Sequence, residues 1–365
     1  MKILHRYIAR EFLVSFLYSL TSFTVLFTVI KIFEDLSKIL SSKMPFIDAV
    51  KYFAYQIPFM VAIVAPVASL LGTLLSLSHL SRHNEIIAMR SSGISYYQIV
   101  WVVGGLALIA SLVFMSFTHT AIPKAQLAFK EIKNVKLLKR PPSLSYGRKR
   151  RFAVLGEGGR LYYIDLFDGD KSTMQGVSIH EFYPDSHVLK RRIDAKSARW
   201  IEGSWELSDV ILREFDENGE MVKEETSKSK AINLKEDPKL FRKEPKSVEE
   251  MEMTFFELKD YIERVKNSGG NPRQETVDLN LRYVSYHFAN LLIVLLGIPL
   301  AIRYHKGGAG LSFGFSIAIA FVYYGAIVTS RAMGLSGNLP PATSAWLPNG
   351  VFAILSVLAN MVARK

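Results

Sequence analysis

Residues 12–33 read FLVSFLYSLTSFTVLFTVIKIF, a run whose single charge is Lys31. A helix needs roughly 20 such residues to cross a bilayer. Five further runs have the same character: 52–78, 97–118, 284–302, 309–330 and 346–362. Between the third and the fourth lies a polar block, 121–275, rich in Lys, Glu, Asp and short alternating segments. The layout predicts an α-helical membrane protein of six transmembrane helices, three on either side of an inserted all-β domain of jelly-roll type. Three parts follow: 1–120, 121–275 and 276–365. A soluble enzyme is excluded. The first run is no cleaved signal peptide, because its apolar core is longer than about 7–15 residues and no small-residue cleavage site follows it.

Short loops set the orientation. Lys2, Arg6 and Arg10, then Arg82 and Arg90, then Arg303 and Lys306, and finally Arg364 and Lys365 fall on one side of the six spans. Loop 34–51 balances its charges and loop 332–345 has none. Positive charge stays in the cytoplasm, so both termini are expected inside and the polar block outside. Much of the net charge of +12 is this orientation signal, since acids nearly offset bases across 121–275. No basic face with interleaved aromatics is present to bind nucleic acid. There is no Cys, which removes zinc-thiolate and thiol-nucleophile chemistry. The exported block must therefore be held by its own core.

Inside that block, 151–155, 160–167, 176–183, 187–201, 205–215 and 221–234 read as strands. Gly156-Glu157-Gly158-Gly159, Asp168-Gly169-Asp170, Pro184-Asp185, Glu202-Gly203 and Glu217-Asn218-Gly219 separate them. Short strands at this spacing predict two packed sheets. Phe152, Leu161, Tyr163, Val177, Ile179, Phe182, Trp200, Trp205 and Phe215 can line an apolar cleft or fill a dry core. After Pro238 and Pro245, Thr254 and Glu257 form a capping box for an amphipathic helix, 254–268, that ends at Gly269-Gly270. The basic stretch 130–151, from Lys130 through Arg140 to Arg151, reads as a solvated or headgroup-contacting linker.

The sharpest local feature joins the second and third spans. In 81–93, Asn84 or Ser81 can cap a short helix and Gly93 can end it. Glu85 sits in its first turn, where the helix dipole favours an acid. Ile86, Ile87 and Met89 are apolar residues in a loop that should be wet. Such a helix suits docking into a partner's groove or lying on headgroups. Lys31, with Lys38 two turns on, is an ionisable residue near the end of a span, either functional or snorkelling, with Glu34 as a partner. His287 and Asn290 suit an interhelical hydrogen bond. Gly310 and Gly314 permit close helix approach, and Pro58, Pro66 and Pro299 kink their spans. No GxxxxGK[ST] loop exists, so the chain does not bind ATP that way, and no HExxH occurs.

These residues resemble the lipopolysaccharide-export permeases of Gram-negative inner membranes, the F/G permease family. The likeness runs through Arg6-Tyr7-Ile8-Ala9-Arg10-Glu11-Phe12, Ile30-Lys31-Ile32-Phe33-Glu34 and Asn84-Glu85-Ile86-Ile87-Ala88-Met89-Arg90-Ser91-Ser92-Gly93. It continues in Gly176-Val177-Ser178-Ile179, Phe256-Glu257-Leu258-Lys259-Asp260-Tyr261-Ile262, Gly310-Leu311-Ser312-Phe313-Gly314-Phe315, Leu339-Pro340-Pro341 and Leu347-Pro348. Ser312-Phe313-Gly314-Phe315 and the capped helix look closer to the G member. The resemblance implies a non-catalytic ABC-transporter subunit paired with a paralogous permease. ATP would be used by a cytosolic ABC ATPase dimer and not by this chain, with no other cofactor. Lipopolysaccharide would pass over the jelly roll to a periplasmic bridge protein of similar fold. Glu85, Ile86, Ile87, Met89 and Gly93 fall in the family's coupling helix. Lys31 and Lys38 face its acidic lipid, and Gly310 and Gly314 lie in a lateral-gate span. Adjacent Glu34 and Asp35 depart from a simple phosphate site. The residues alone also admit a lipid-modifying membrane enzyme, or a sensor with an exported ligand domain.

Overall fold

The computed structural model describes residues 2–139, 148–156, 160–183, 188–201, 203–232, 236, 238, 241, 251–267, 271–303 and 308–363. Arg140, Glu157-Gly158-Gly159, Pro184-Asp185, Glu202, Pro245, Gly269-Gly270, Lys306 and Arg364-Lys365, named above, lie outside the described residues. The chain forms two compact units, one of residues 1–130, 248–255 and 273–365, the other of 131–247 and 256–272.

In the first unit the helices are α1 (Lys2–Ser42), α2 (Phe46–Ala54), α3 (Ile57–Arg82), α4 (Glu85–Ser91) and α5 (Tyr96–Ile132). After the second unit's strands and α6 (Phe255–Asn267) come α7 (Arg273–Asn280), α8 (Tyr286–Arg303), α9 (Gly308–Ser336) and α10 (Pro341–Ala363). A π-helical turn, Leu281–Ser285, makes α7 and α8 continuous. Six helical stretches are long and apolar enough to cross a membrane: 3–42, 46–82, 96–137, 273–303, 310–336 and 341–363. They outrun the apolar segments because charge ends an apolar run without ending a helix. What stops α1 is Lys43 at φ 55° and then Pro45.

The spans α3 and α8 are central, and α1, α5, α9 and α10 turn apolar residues such as Leu17, Trp101, Phe321 and Ile354 outward. Where small residues face neighbours the backbones close up. A Cβ on Gly72 would lie 2.7 Å from Phe16 Cα, so α1 and α3 touch there. Buried polar groups join the other helices. Asn290 Nδ2 donates to Ala107 O at 2.9 Å, the interhelical bond expected of it. Asn349 Nδ2 donates to Ser285 O at 2.7 Å, and its Oδ1 accepts from the Tyr323 hydroxyl at 2.6 Å. His287 is buried without a partner for Nε2 among the described residues. Pro66 and Pro299 lie inside helices, but Pro58 sits in the first turn of α3, where its missing N–H costs nothing, and so opens the span instead of kinking it.

The second unit carries β1 (Arg148–Leu155), β2 (Leu161–Asp168), β3 (Thr173–Phe182), β4 (Leu189–Ile201), β5 (Ser204–Phe215) and β6 (Met221–Ile232). The inserted all-β domain is thus present, at the positions read from the sequence. Its strands form one antiparallel sheet in sequential order, β1 to β6, and not two sheets joined by crossovers. Short hairpin connections leave successive strands no other neighbour. The basic stretch likewise does not stay a linker, because Arg148–Arg151 belong to β1.

A crease crosses this sheet. The ladders skip one residue on each strand at the same level: Arg151, Asp165, Gly176, Lys196, Asp209 and Lys228. Arg151, Gly176 and Asp209 have left-handed φ values of 47°, 61° and 53°. Register is the same on both sides, yet the inward-facing parity changes. Tyr162 and Ile164 are buried on one side of the crease and Phe167 on the other; Ile179 and Val177 answer to Met174, and Leu212 and Val210 to Leu207 and Trp205. A bulge adds one residue to one strand; here every strand adds one, so the sheet bends and keeps a single apolar face. Phe241 seals that face, its ring 5.3 Å from Tyr162, 5.9 Å from Phe167 and 5.8 Å from Trp205. Val177, Ile179 and Trp205 therefore fill a closed core, while Tyr163 and Phe182 remain exposed.

Candidate functional site

Helix α4 joins the two spans α3 and α5, and its ends are built differently from each other. Asn84 takes a left-handed conformation at φ 59° and donates its N–H to Ser81 O at 3.1 Å, closing the end of α3. Its side chain makes no cap, and Ser81 Oγ donates instead to Ile302 O at 3.2 Å. Asn84 does hold the N-cap position, its carbonyl accepting from Ala88 N–H at 2.9 Å, but neither side chain caps α4, since that of Ser81 is turned to α8. At the other end Gly93 (φ 89°) donates to Arg90 O and Ile94 donates to Met89 O, each at 3.1 Å. That pair of bonds is a Schellman motif, so Gly93 ends the helix as read.

The apolar residues of α4 divide. Ile86 and Met89 are buried among Ile8, Phe12, Leu77 and Leu80, and only Ile87, 62% exposed, points away from the unit. A seven-residue amphipathic helix cannot leave all three outside. Glu85 is partly exposed in the first turn and faces the Tyr7 phenol of α1. What α4 presents for docking is therefore Glu85, Ile87 and the exposed Arg90 on a helix rigidly seated in the bundle.

At the other end of α1 the two lysines do not stand free. Lys31 Nζ lies 2.9 Å from Glu34 and 3.3 Å from Asp35, and Lys38 Nζ lies 2.9 Å from Asp35. Asp35 is 2% exposed and also accepts from the Tyr52 hydroxyl of α2 at 3.0 Å. The sequence reading paired Lys31 with Glu34 but did not see that Asp35 gathers both lysines.

Gly310 and Gly314 have no neighbour within 4 Å of where a Cβ would stand, and both are exposed on α9. Packing within this chain does not use them. On the same face Phe313 stacks on Phe23 of α1, with ring centroids 6.1 Å apart, and Ile317 is exposed.

A further site was not read from the sequence. A cavity of about 410 Å³ opens between α3, α8 and α9, with Phe59, Ile63, Ile327 and Val328 on its walls. Arg282 and Arg331 stand at it. The Arg331 guanidinium holds both oxygens of the fully buried Asp278, at 2.7 and 2.9 Å. An apolar slot beside paired cations can take an acyl chain under an anionic headgroup. Its residues come from 59 to 335, a separation at which sequence spacing gives no signal.

Two curated relatives resemble the chain across nearly their whole length. The lipopolysaccharide export system permease protein LptG of Escherichia coli K12 is 22% identical over 374 residues, covering 97% of each chain. The protein of the same name from Escherichia coli O6:H1 strain CFT073 matches to the same extent. Residues 6–361 also match the family described as lipopolysaccharide export system permease LptF/LptG. With six apolar helices, a β-sheet insert between the third and the fourth, and a match that omits only a few residues at each end, the chain belongs to the LptF/LptG permease family.

Proposed function

We propose that this chain is the G-type permease subunit of an ABC transporter that lifts lipopolysaccharide from the inner membrane. Both termini lie in the cytoplasm and the β domain in the periplasm, as the basic short loops favour. The subunit pairs with a paralogous permease, and a cytosolic ABC ATPase dimer supplies the work. Lipid reaches Lys31 and Lys38 at the outer-leaflet end of α1 and lays an acyl chain along the cavity beside Arg331. It then moves onto the β domain, where a periplasmic bridge of similar fold adds to the sheet at an edge strand, β1 or β6.

The observation that carries this reading is α4, a short helix between two spans, closed by Gly93, with Glu85 and Ile87 presented and its other apolar residues anchored in the bundle. A load applied to α4 passes directly to α1 and α3. The test is extraction in mild detergent with the partner subunits coexpressed. An ATPase should copurify with the wild-type chain and be lost with Glu85→Lys, because truncating or reversing a buried interfacial charge typically costs about 2–5 kcal/mol. Full copurification and full lipid export by the variant would remove the coupling role of Glu85.

A further inference from the structure

Four ionised side chains crowd the last turns of α1: Lys31, Glu34, Asp35 and Lys38. Asp35 divides its oxygens among its neighbours. Oδ1 takes Lys38 at 2.9 Å, while Oδ2 takes Lys31 at 3.3 Å and the Tyr52 hydroxyl at 3.0 Å. Tyr52 is itself buried, with its ring 4.8 Å from that of Phe129. The place of Asp35 is therefore fixed by α2 and α5 as well as by α1. Seven residues separate the two lysines along the chain, about 10 Å of helix rise, yet both ammoniums are drawn to one carboxylate.

The formal charges of the four groups cancel. Such a pair gives a passing anion no net attraction, and an anion gains the ammoniums only by displacing a carboxylate. Glu34, with its side chain 58% exposed, can swing back into water. Asp35, with its side chain 3% exposed, cannot leave without a large desolvation cost. A single phosphodiester charge replaces Glu34 at little gain. A headgroup with more than one phosphate charge can meet Lys31 and Lys38 together while Asp35 stays in place behind them.

We propose that Asp35 is the selectivity residue of this lysine pair: as a resident counter-anion it admits multiply phosphorylated lipid headgroups and turns away singly charged ones. The inference rests on the headgroup contact of Lys31 and Lys38 proposed above, and adds what keeps bulk anionic phospholipid off them.

The experiment uses the full transporter complex in nanodiscs of phosphatidylethanolamine and phosphatidylglycerol, with diphosphorylated lipopolysaccharide added. A photo-reactive side chain replaces Phe27, which is 44% exposed one turn before Lys31 on the same face of α1, and captured lipids are identified by mass spectrometry. Asp35→Asn leaves one uncompensated positive charge. It should raise capture of phosphatidylglycerol relative to lipopolysaccharide by about two- to five-fold, the range for one exposed ion pair. Tyr52→Phe keeps the ring, removes the bond that pins Asp35, and should shift the ratio the same way by less; it decides the matter if Asp35→Asn fails to assemble. An unchanged ratio in an intact complex overturns the proposal. The Lys31→Gln, Lys38→Gln pair separates the two levels. If it abolishes capture while Asp35→Asn leaves the ratio unmoved, only the selectivity role falls. If lipopolysaccharide capture survives it, the headgroup reading falls as well.

Discussion

Asp278 has no exposed surface, and Arg331 covers both of its oxygens from a helix fifty-three residues further along the chain. A carboxylate in that position is tolerated only with its partner. Removing one member of a buried pair typically costs about 3–5 kcal/mol, so Arg331→Ala should lower thermal stability strongly. Asp278→Asn, which still accepts hydrogen bonds, should cost less, and calorimetry of the detergent-solubilised chain reads the difference. Equal losses for the two variants would contradict this, since the hydrogen bonds that the amide keeps would then carry nothing. Gly176 makes a different demand. Its φ is 61°, and a Cβ there would lie 2.3 Å from Asp165 Oδ2. Gly176→Ala should therefore destabilise the β domain by about 1–3 kcal/mol, the usual cost of a strained backbone site. The sequence reading recorded Gly176 as the first residue of a strand and as part of a string in the resemblance. Its need for glycine is set by a neighbouring strand, which no local window contains.

At the scale of elements, α4 separates what spacing can predict from what packing decides. The helix and its Gly93 end were legible, because a left-handed C′ glycine is a local signal. The side on which Ile86, Ile87 and Met89 would lie was not, since that depends on the core supplied by α1 and α3. The faces now make opposite forecasts. Ile87→Glu should leave the chain folded and weaken ATPase copurification, while Ile86→Glu should prevent folding. Similar yields of both variants would contradict the packing. The crease has the same logic. Strand positions were legible from alternation and turns, but the change of inward parity at Arg151, Asp165, Gly176, Lys196 and Asp209 carries no periodic mark.

Near it, His180 hydrogen-bonds to Ser178 at 2.9 Å. Burial, aided by Arg192 and opposed by Asp194, holds the imidazole below its usual range. The unfolded chain therefore binds more protons. The stabilisation is complete above the unfolded value near 6.5 and is lost as pH falls through the folded value. Hydrogen exchange of β3 and β4 in the intact chain should accelerate below that pH, and less so in His180→Gln. A pH response undiminished in the variant would point to other groups.

For the whole molecule, hydropathy was the strongest guide. Apolar runs gave all six spans, because the bilayer imposes a length that composition must satisfy. Their true ends were hidden: α1 runs on past Lys31 and α7 begins before residue 284, with charges held in pairs such as Asp35 with Lys38 and Asp278 with Arg331. The same pairs account for the acids that the sequence reading found out of place beside Lys31. Lipopolysaccharide movement driven by ATP is the central claim, and reconstitution tests it most directly. The chain is placed with the paralogous permease and the ATPase proposed for it in vesicles loaded with lipopolysaccharide, and transfer to a soluble periplasmic acceptor is followed. Transfer should require ATP and this chain, and should stop with Glu85→Lys. An intact complex that hydrolyses ATP and moves no lipopolysaccharide, or that moves it equally well without ATP, would contradict the account.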